Sequence, residues 1–136
     1  TRIVLQTNNR QHYCFKALVD DAPESFYAEE LLQRRQFSFP PVRHLVAIKI
    51  RGRIESRCSA AAEALYRHVQ APEALPRSTE VLSLLPGQPP KLRGNFYWTI
   101  LLSTDAVLSM NKMLKLRLKE FKHSGIIITV DVDPVA

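Results

Sequence analysis

The 136-residue sequence predicts an α+β fold, a two-layer sandwich in which two helices cover one face of a four-stranded antiparallel sheet. Three observations predict it. Arg43 to Arg51 alternates with the period of a strand, two later stretches carry apolar stripes at helical spacing, and the apolar run Ile126 to Val132 closes the chain. Taken in order, the segments after residue 42 read strand, helix, strand, strand, helix, strand (βαββαβ), the ferredoxin-like order.

In the first strand Val46, Ile48 and Ile50 form the apolar side and Arg43, Lys49 and Arg51 the other, until Gly52 breaks the pattern. Residues 55–70 are rich in alanine and repeat Cys58, Ala61, Leu65 and Val69 at helical spacing, so this helix lies close on the sheet. Pro72 and Pro76 end it. A second strand is expected from about Thr79 to Leu85, and Pro86 to Gly94, with its glycines and prolines, as a long turn excluded from regular structure. Asn95 to Ser103 is the third strand, with Phe96, Trp98, Ile100 and Leu102 on one face and Tyr97 and Thr99 on the other. Asp105 is the expected N-cap of a helix reaching about Lys122, with Val107, Met110, Leu114, Leu118 and Phe121 as its buried stripe and Gly125 as its stop. The last strand is expected antiparallel beside the first, with Asp131 and Asp133 near Arg43 and the second sheet face open.

Residues 1–42 stand apart from this 43–136 domain. They offer a short strand, Ile3 to Thr7, then helical stretches at His12 to Val19 and Pro23 to Arg35, with Pro23 at a helix start. One strand alone needs a sheet elsewhere, so the chain is expected to be a piece of a longer protein, Ile3 to Thr7 completing the sheet of a preceding domain.

Composition bounds the function. No apolar run approaches the ~18 residues of a membrane span, and the expectation is a cytoplasmic protein without membrane contact. Cys14 and Cys58 lie far apart, which suggests buried thiols and neither a zinc site nor a disulfide framework. The net charge of +6 is uneven: residues 20–36 hold five acids against Arg34 and Arg35, whereas residues 91–123 hold seven bases against Asp105 and Glu120. A basic body of this kind attracts polyanions, and it also serves plain solubility.

Catalytic patterns are missing. The sequence contains no phosphate-binding Gly-x-x-x-x-Gly-Lys-Ser/Thr loop, no His-Glu-x-x-His and no hydrolytic triad, and no arginine-bearing glycine loop of the acylphosphatase kind follows the first strand. Asp131 and Asp133 face the same way with no further ligand in pattern, which favours a structural ion pair or strand-end hydrogen bonding over a metal site. The candidate binding residues are cations. Lys112, Lys115, Lys119 and Lys122 fall on one helical stripe, either a row tracking a phosphate backbone or an ordinary solvated face. Lys91 and Arg93 sit on the proline-rich turn beside Tyr97, a combination suited to single-stranded nucleic acid. Lys49, Arg51 and Tyr97 could line the open sheet face for the same purpose, or that face could dock on a neighbouring domain.

Ile3 to Thr7, His12-Tyr13, Phe26-Tyr27 with Glu30 and Arg34-Arg35, Pro40-Pro41, Lys91, Tyr97-Trp98 and Asp131-Val132-Asp133-Pro134 occur in the order seen in one family, and the chain resembles the C-terminal part of the PriA (primosomal protein N′) replication-restart helicases. Val42 and Tyr97 depart from its usual aromatic and arginine. The resemblance implies a fold like ribosomal protein S10, and a module, non-catalytic alone, of an ATP-dependent 3′-to-5′ DNA helicase acting in primosome assembly. It implies ATP, magnesium and zinc for the whole protein, with none bound by this piece. It also implies contact with single-stranded and forked DNA, with the single-strand DNA-binding protein and other primosome proteins, and with the preceding helicase lobes in cis. At the turns where the family contacts the acidic tail of the single-strand-binding protein this chain has Val107 and Asn111, with Lys112 and Lys115 as substitutes. A purely architectural domain, and an independent S10-like RNA-binding protein, are the alternative readings.

Overall fold

In the computed structural model, which describes residues 1–134, eight elements follow one another: α1 (Tyr13–Val19), α2 (Pro23–Gln36), β1 (His44–Gly52), α3 (Glu55–Gln70), β2 (Glu80–Leu92), β3 (Asn95–Thr104), α4 (Val107–Glu120) and β4 (Ile126–Val132). The last two residues of the expected 43–136 domain lie outside the described residues. The chain forms two compact units that divide between Phe39 and Pro40.

The second unit is the expected α+β sandwich. Its strands make one sheet in the order β2-β3-β1-β4, every neighbouring pair antiparallel. The central strand β1 places Ile48 between Ile100 of β3 and Val130 of β4. Val46, Ile48, Ile50, Ile100 and Leu102 are buried with Cys58, Ala62 and Leu65 of α3 and Met110 and Leu114 of α4. Each large side chain in this cluster contributes about 1.5–3 kcal/mol relative to exposure. Small residues on α3, Ala61 and Ala62, are buried as well, which brings the helix close to the sheet.

Five expectations are corrected. Ile3 to Thr7 is not a strand; it is irregular, and Ile3 is 81% exposed. Among the described residues no strand lies alongside to satisfy its backbone, and an isolated extended segment gains nothing from a ladder it cannot form.

The Pro86 to Gly94 stretch is not a long turn. β2 runs on to Leu92, and pairing resumes at Lys91 with Phe96 and Leu92 with Asn95 after an interruption beyond Pro86, which pairs with Trp98. Gly87, Gln88, Pro89 and Pro90 therefore stand opposite Tyr97 alone, a broad bulge that holds two prolines where no ladder donor is needed. Only Arg93 and Gly94 turn the chain, with φ of 49° and 78°, the left-handed pair that suits the twist of a two-residue hairpin.

Asp105 does not cap α4. Ala106 holds the N-cap position without a side-chain hydrogen bond, and its N–H donates to Thr104 Oγ1 at 3.1 Å, a hydroxyl that also accepts from Thr79 Oγ1 at 3.0 Å. The buried Thr104 sets the entry into the helix instead. At the other end α4 stops at Glu120, where Phe121 leaves helical geometry and packs its ring 6.3 Å from His68. Lys122 thus lies beyond the helix, and Gly125, with φ of 78°, serves the turn into β4.

β4 does lie antiparallel beside β1, but its two acids do not meet Arg43. Asp131 pairs with Lys49 at 3.0 Å and Asp133 with His44 at 2.6 Å. Arg43 is taken by the other neighbour of β1: it donates to the Ser103 hydroxyl at 3.0 Å and to the Ser78 carbonyl at 2.7 Å.

The first unit is a helical hairpin. His12 Nδ1 accepts the Cys14 N–H to start α1, and Pro23 opens α2, where a missing N–H costs nothing. The Tyr13 ring stacks on Phe26 at 5.8 Å, and its hydroxyl donates to the Glu30 carboxylate, which also receives Arg34 Nε at 2.7 Å. Neither helix has a fully buried residue, and Leu18, Val19, Tyr27, Leu32 and Phe37 are exposed.

Candidate nucleic-acid interface

The strand directions decide which cations meet. β1 and β2 end, and β3 and β4 begin, at the same edge of the sandwich, where α3 starts and α4 has ended. That end gathers Arg51, Arg53, Arg57, Lys91, Arg93 and Lys122 against Glu55 and Glu120. The opposite end carries Glu80, Asp105, Asp131 and Asp133 beside Arg43 and Arg77. The excess charge of the sequence is therefore polarised along the strands.

The predicted residues do not form one patch. Lys49 and Arg51 are both exposed on the open sheet face, but Lys49 is engaged by Asp131. Arg51 pairs in register with Tyr97, which is half-buried and has Gly87 packed against it. Lys91 is separated from Tyr97: it pairs with Phe96 and places Nζ 5.2 Å from the centre of that ring, a cation–π contact on the other side of the hairpin. Arg93 is exposed at the hairpin tip.

On α4, Lys112, Lys115 and Lys119 are exposed and lack an ion-pair partner among the described residues. Lys115 and Lys119, with Asn111, border a groove of about 500 Å³ between α4 and the edge strand β4, floored by Leu114, Leu118, Val130 and Val132. Sequence reasoning saw the lysines and missed the groove, because its second wall comes from a strand that pairing, not spacing, brings beneath the helix.

Arg53 and Arg57 were also missed as site residues. With Arg51 they line a cavity of about 520 Å³ at the basic end, together with Ile54, Asn95 and the turn at Gly125 and Ile126. The density of arginine over residues 43–57 was the available signal.

Among the described residues no three His, Cys, Asp or Glu side chains gather as a metal site. No helix is long and apolar enough to cross a membrane. Cys58 is buried at the end of β1, and burial pushes its thiol up, away from the reactive thiolate.

Fold and surface together define a ferredoxin-like α+β domain with cations collected at one end and along one helix. The profile of the primosomal protein N C-terminal domain matches residues 35–135, and the chain belongs to that family. It is 28% identical over 134 residues to the replication restart protein PriA of Treponema pallidum, covering 98% of this chain and 20% of that protein. Against PriA of Synechocystis sp. the identity is 24% over 135 residues, covering 99% of this chain and 16% of the relative. Against PriA of Thermotoga maritima it is 25% over 133 residues, covering 98% and 17%. The chain thus spans a fifth or less of the length of these relatives. Among solved structures, the designed protein Foldit4 shares the fold, with a TM-score of 0.50 and 17% identity over 69% of this chain and 99% of that one.

Proposed function

We propose that this chain is the non-catalytic C-terminal module of a replication-restart helicase, contributing basic surface for DNA and for the single-strand DNA-binding protein. The observation that carries the reading is the exposed row Lys112, Lys115 and Lys119, unpaired among the described residues, with Lys115 and Lys119 bordering an apolar groove. Ammonium groups hold phosphates, and the groove with Lys115, Lys119 and Asn111 suits a short peptide that combines acids with apolar side chains.

In this reading the ATP-dependent 3′-to-5′ motor, its magnesium and the zinc-binding region belong to the rest of a cytoplasmic bacterial protein that recognises forks and assembles the primosome. The exposed apolar residues of the α1–α2 hairpin support contact with the preceding helicase lobes.

Titration of the chain with a labelled oligothymidylate tests the proposal. If the three lysines each hold a phosphate, replacing all three by alanine flattens the slope of log affinity against log salt by about 2. An unchanged affinity and slope overturns their assignment.

One observation favours a second, architectural reading. The open sheet face keeps Leu85 57% and Ile127 50% exposed while Lys49 is neutralised by Asp131, which suits docking on a neighbouring lobe. Failure of the wild-type chain to bind the strand at any salt concentration would decide for it.

A further inference from the structure

At the end of the sandwich where β1 passes into α3, three arginines line one cavity. Arg51 is the last exposed residue of β1, Arg53 follows Gly52, and Arg57 stands in the first turn of α3. None of the three has a hydrogen-bond or ion-pair partner among the described residues, and Glu55, the nearest acid in the chain, pairs with none of them. Gly52 lies between Arg51 and Arg53, and a Cβ there would stand 2.7 Å from Ile126 Cδ1 and 3.3 Å from the Gly125 carbonyl oxygen. β1 therefore passes tight against the start of β4, and the turn before β4 closes one wall of the cavity.

Three cations that repel one another without a compensating acid are relieved by an anion, and the planar fork of arginine fits two phosphate oxygens at once. The surroundings choose among anions. Tyr97 of β3 and Ile127 of β4 flank Arg51 in register on the open face, so an aromatic ring and an apolar side chain adjoin the guanidinium. A carboxylate peptide has no need of a ring beside its charge, whereas single-stranded nucleic acid alternates phosphates with flat bases.

We infer that this end of the domain anchors single-stranded nucleic acid, with backbone phosphate among Arg51, Arg53 and Arg57 and a base against Tyr97. The inference rests on the proposed DNA-binding role and names a site within it distinct from the α4 lysines.

The test is fluorescence anisotropy of a labelled oligothymidylate titrated with the whole chain across a salt series, with circular dichroism as the check on folding. The R53A/R57A double variant, which removes exposed and unpartnered side chains, is expected to bind roughly tenfold more weakly, with a salt slope flatter by about 1.4. Y97L, which keeps an apolar side chain on β3, is expected to lose roughly fivefold or more with the slope unchanged. R67A/R77A, the same loss of charge at the other end, should stay within about twofold. Wild-type affinity and slope in R53A/R57A, with weakening only when the α4 lysines are removed, overturns this site and leaves the DNA-binding role standing. No binding by the wild-type chain removes both. Displacement of the strand by polyglutamate of matched charge as readily as by unlabelled oligothymidylate overturns the nucleic-acid assignment in favour of an acidic peptide.

Discussion

Asp133 and Leu45 are joined in both directions: the Asp133 N–H donates to the Leu45 carbonyl at 2.7 Å, and the Asp133 carboxylate accepts the Leu45 N–H at 3.0 Å. The same carboxylate meets His44 Nδ1 at 2.6 Å. The paired acids near the end of the chain are thus spent on holding edge strand β4 to β1, the structural role that their spacing without further ligands implied.

D133A removes both side-chain bonds and leaves alanine at a φ of 49°. A loss of about 1–2 kcal/mol is expected. D133N retains an acceptor for Leu45 and tolerates the left-handed backbone, so its loss should be smaller. Urea midpoints of the three proteins check this; equal destabilisation by Ala and Asn would show that the carboxylate charge, not the strand-end clamp, matters.

Gly87 and Gly52 both sit where a methyl group meets an atom at 2.7 Å, yet the two substitutions should differ. At Gly87 the neighbour is Tyr97 Cβ, with the Tyr97 carbonyl oxygen at 3.3 Å, atoms that cannot retreat unless β3 moves. G87A is expected to cost about 1–3 kcal/mol, whereas G52A meets Ile126 Cδ1, the far end of a side chain that can rotate, and should cost less. Thermal unfolding of both variants orders them, and a G52A loss exceeding that of G87A would contradict the argument.

These details show which parts of the fold were legible in the sequence. β1 and α3 were, because Val46, Ile48 and Ile50 alternate without ambiguity and α3 is bracketed by Gly52 and Pro72. The length of the β2–β3 hairpin was not: Gly87, Pro89 and Pro90 read locally as turn residues, and only pairing with β3 turns them into a bulge. The end of α4 is decided by Phe121 packing near His68, residues from different helical regions that spacing cannot connect. The site follows the same rule. Exposure of the α4 lysines was readable from periodicity, but the neutralisation of Lys49 by Asp131, distant in sequence, and the meeting of Arg53 and Arg57 with the Gly125 turn depend on strand order.

The two thiols should differ sharply in reactivity. Cys58 is 0% exposed, and its Sγ approaches the Phe96 carbonyl at 3.4 Å, while Cys14 is half-buried in the helical hairpin. With iodoacetamide at neutral pH, Cys14 should label in the folded protein and Cys58 more than about a hundredfold more slowly, since its modification needs the core to open. Peptide mass spectrometry reads the two sites separately. Equal rates in the native protein, converging no further in urea, would mean that α3 does not seal the end of β1.

The pH dependence of the α1–α2 hairpin follows from the Tyr13, Glu30 and Arg34 contacts. The hydrogen bond from the Tyr13 hydroxyl, then that from Arg34, holds the Glu30 carboxyl below the usual carboxylate range, and the bond to Glu30 holds the Tyr13 phenol above its usual range. A carboxyl lowered by folding stabilises the hairpin above its unfolded value, about 4.3, and that contribution disappears as pH falls through the lowered value. A phenol raised by folding stabilises below its unfolded value, about 10, and that contribution disappears as pH rises through the raised value. Protection of the α2 amides, taken relative to their intrinsic exchange rates at each pH, should therefore be greatest between those limits. E30Q removes the acid limb and keeps an acceptor for Tyr13; Y13F removes the alkaline limb and moves Glu30 only part of the way back, because Arg34 remains. An acid limb that persists in E30Q would place its origin in another carboxylate and sever the link between this contact and the stability of the hairpin.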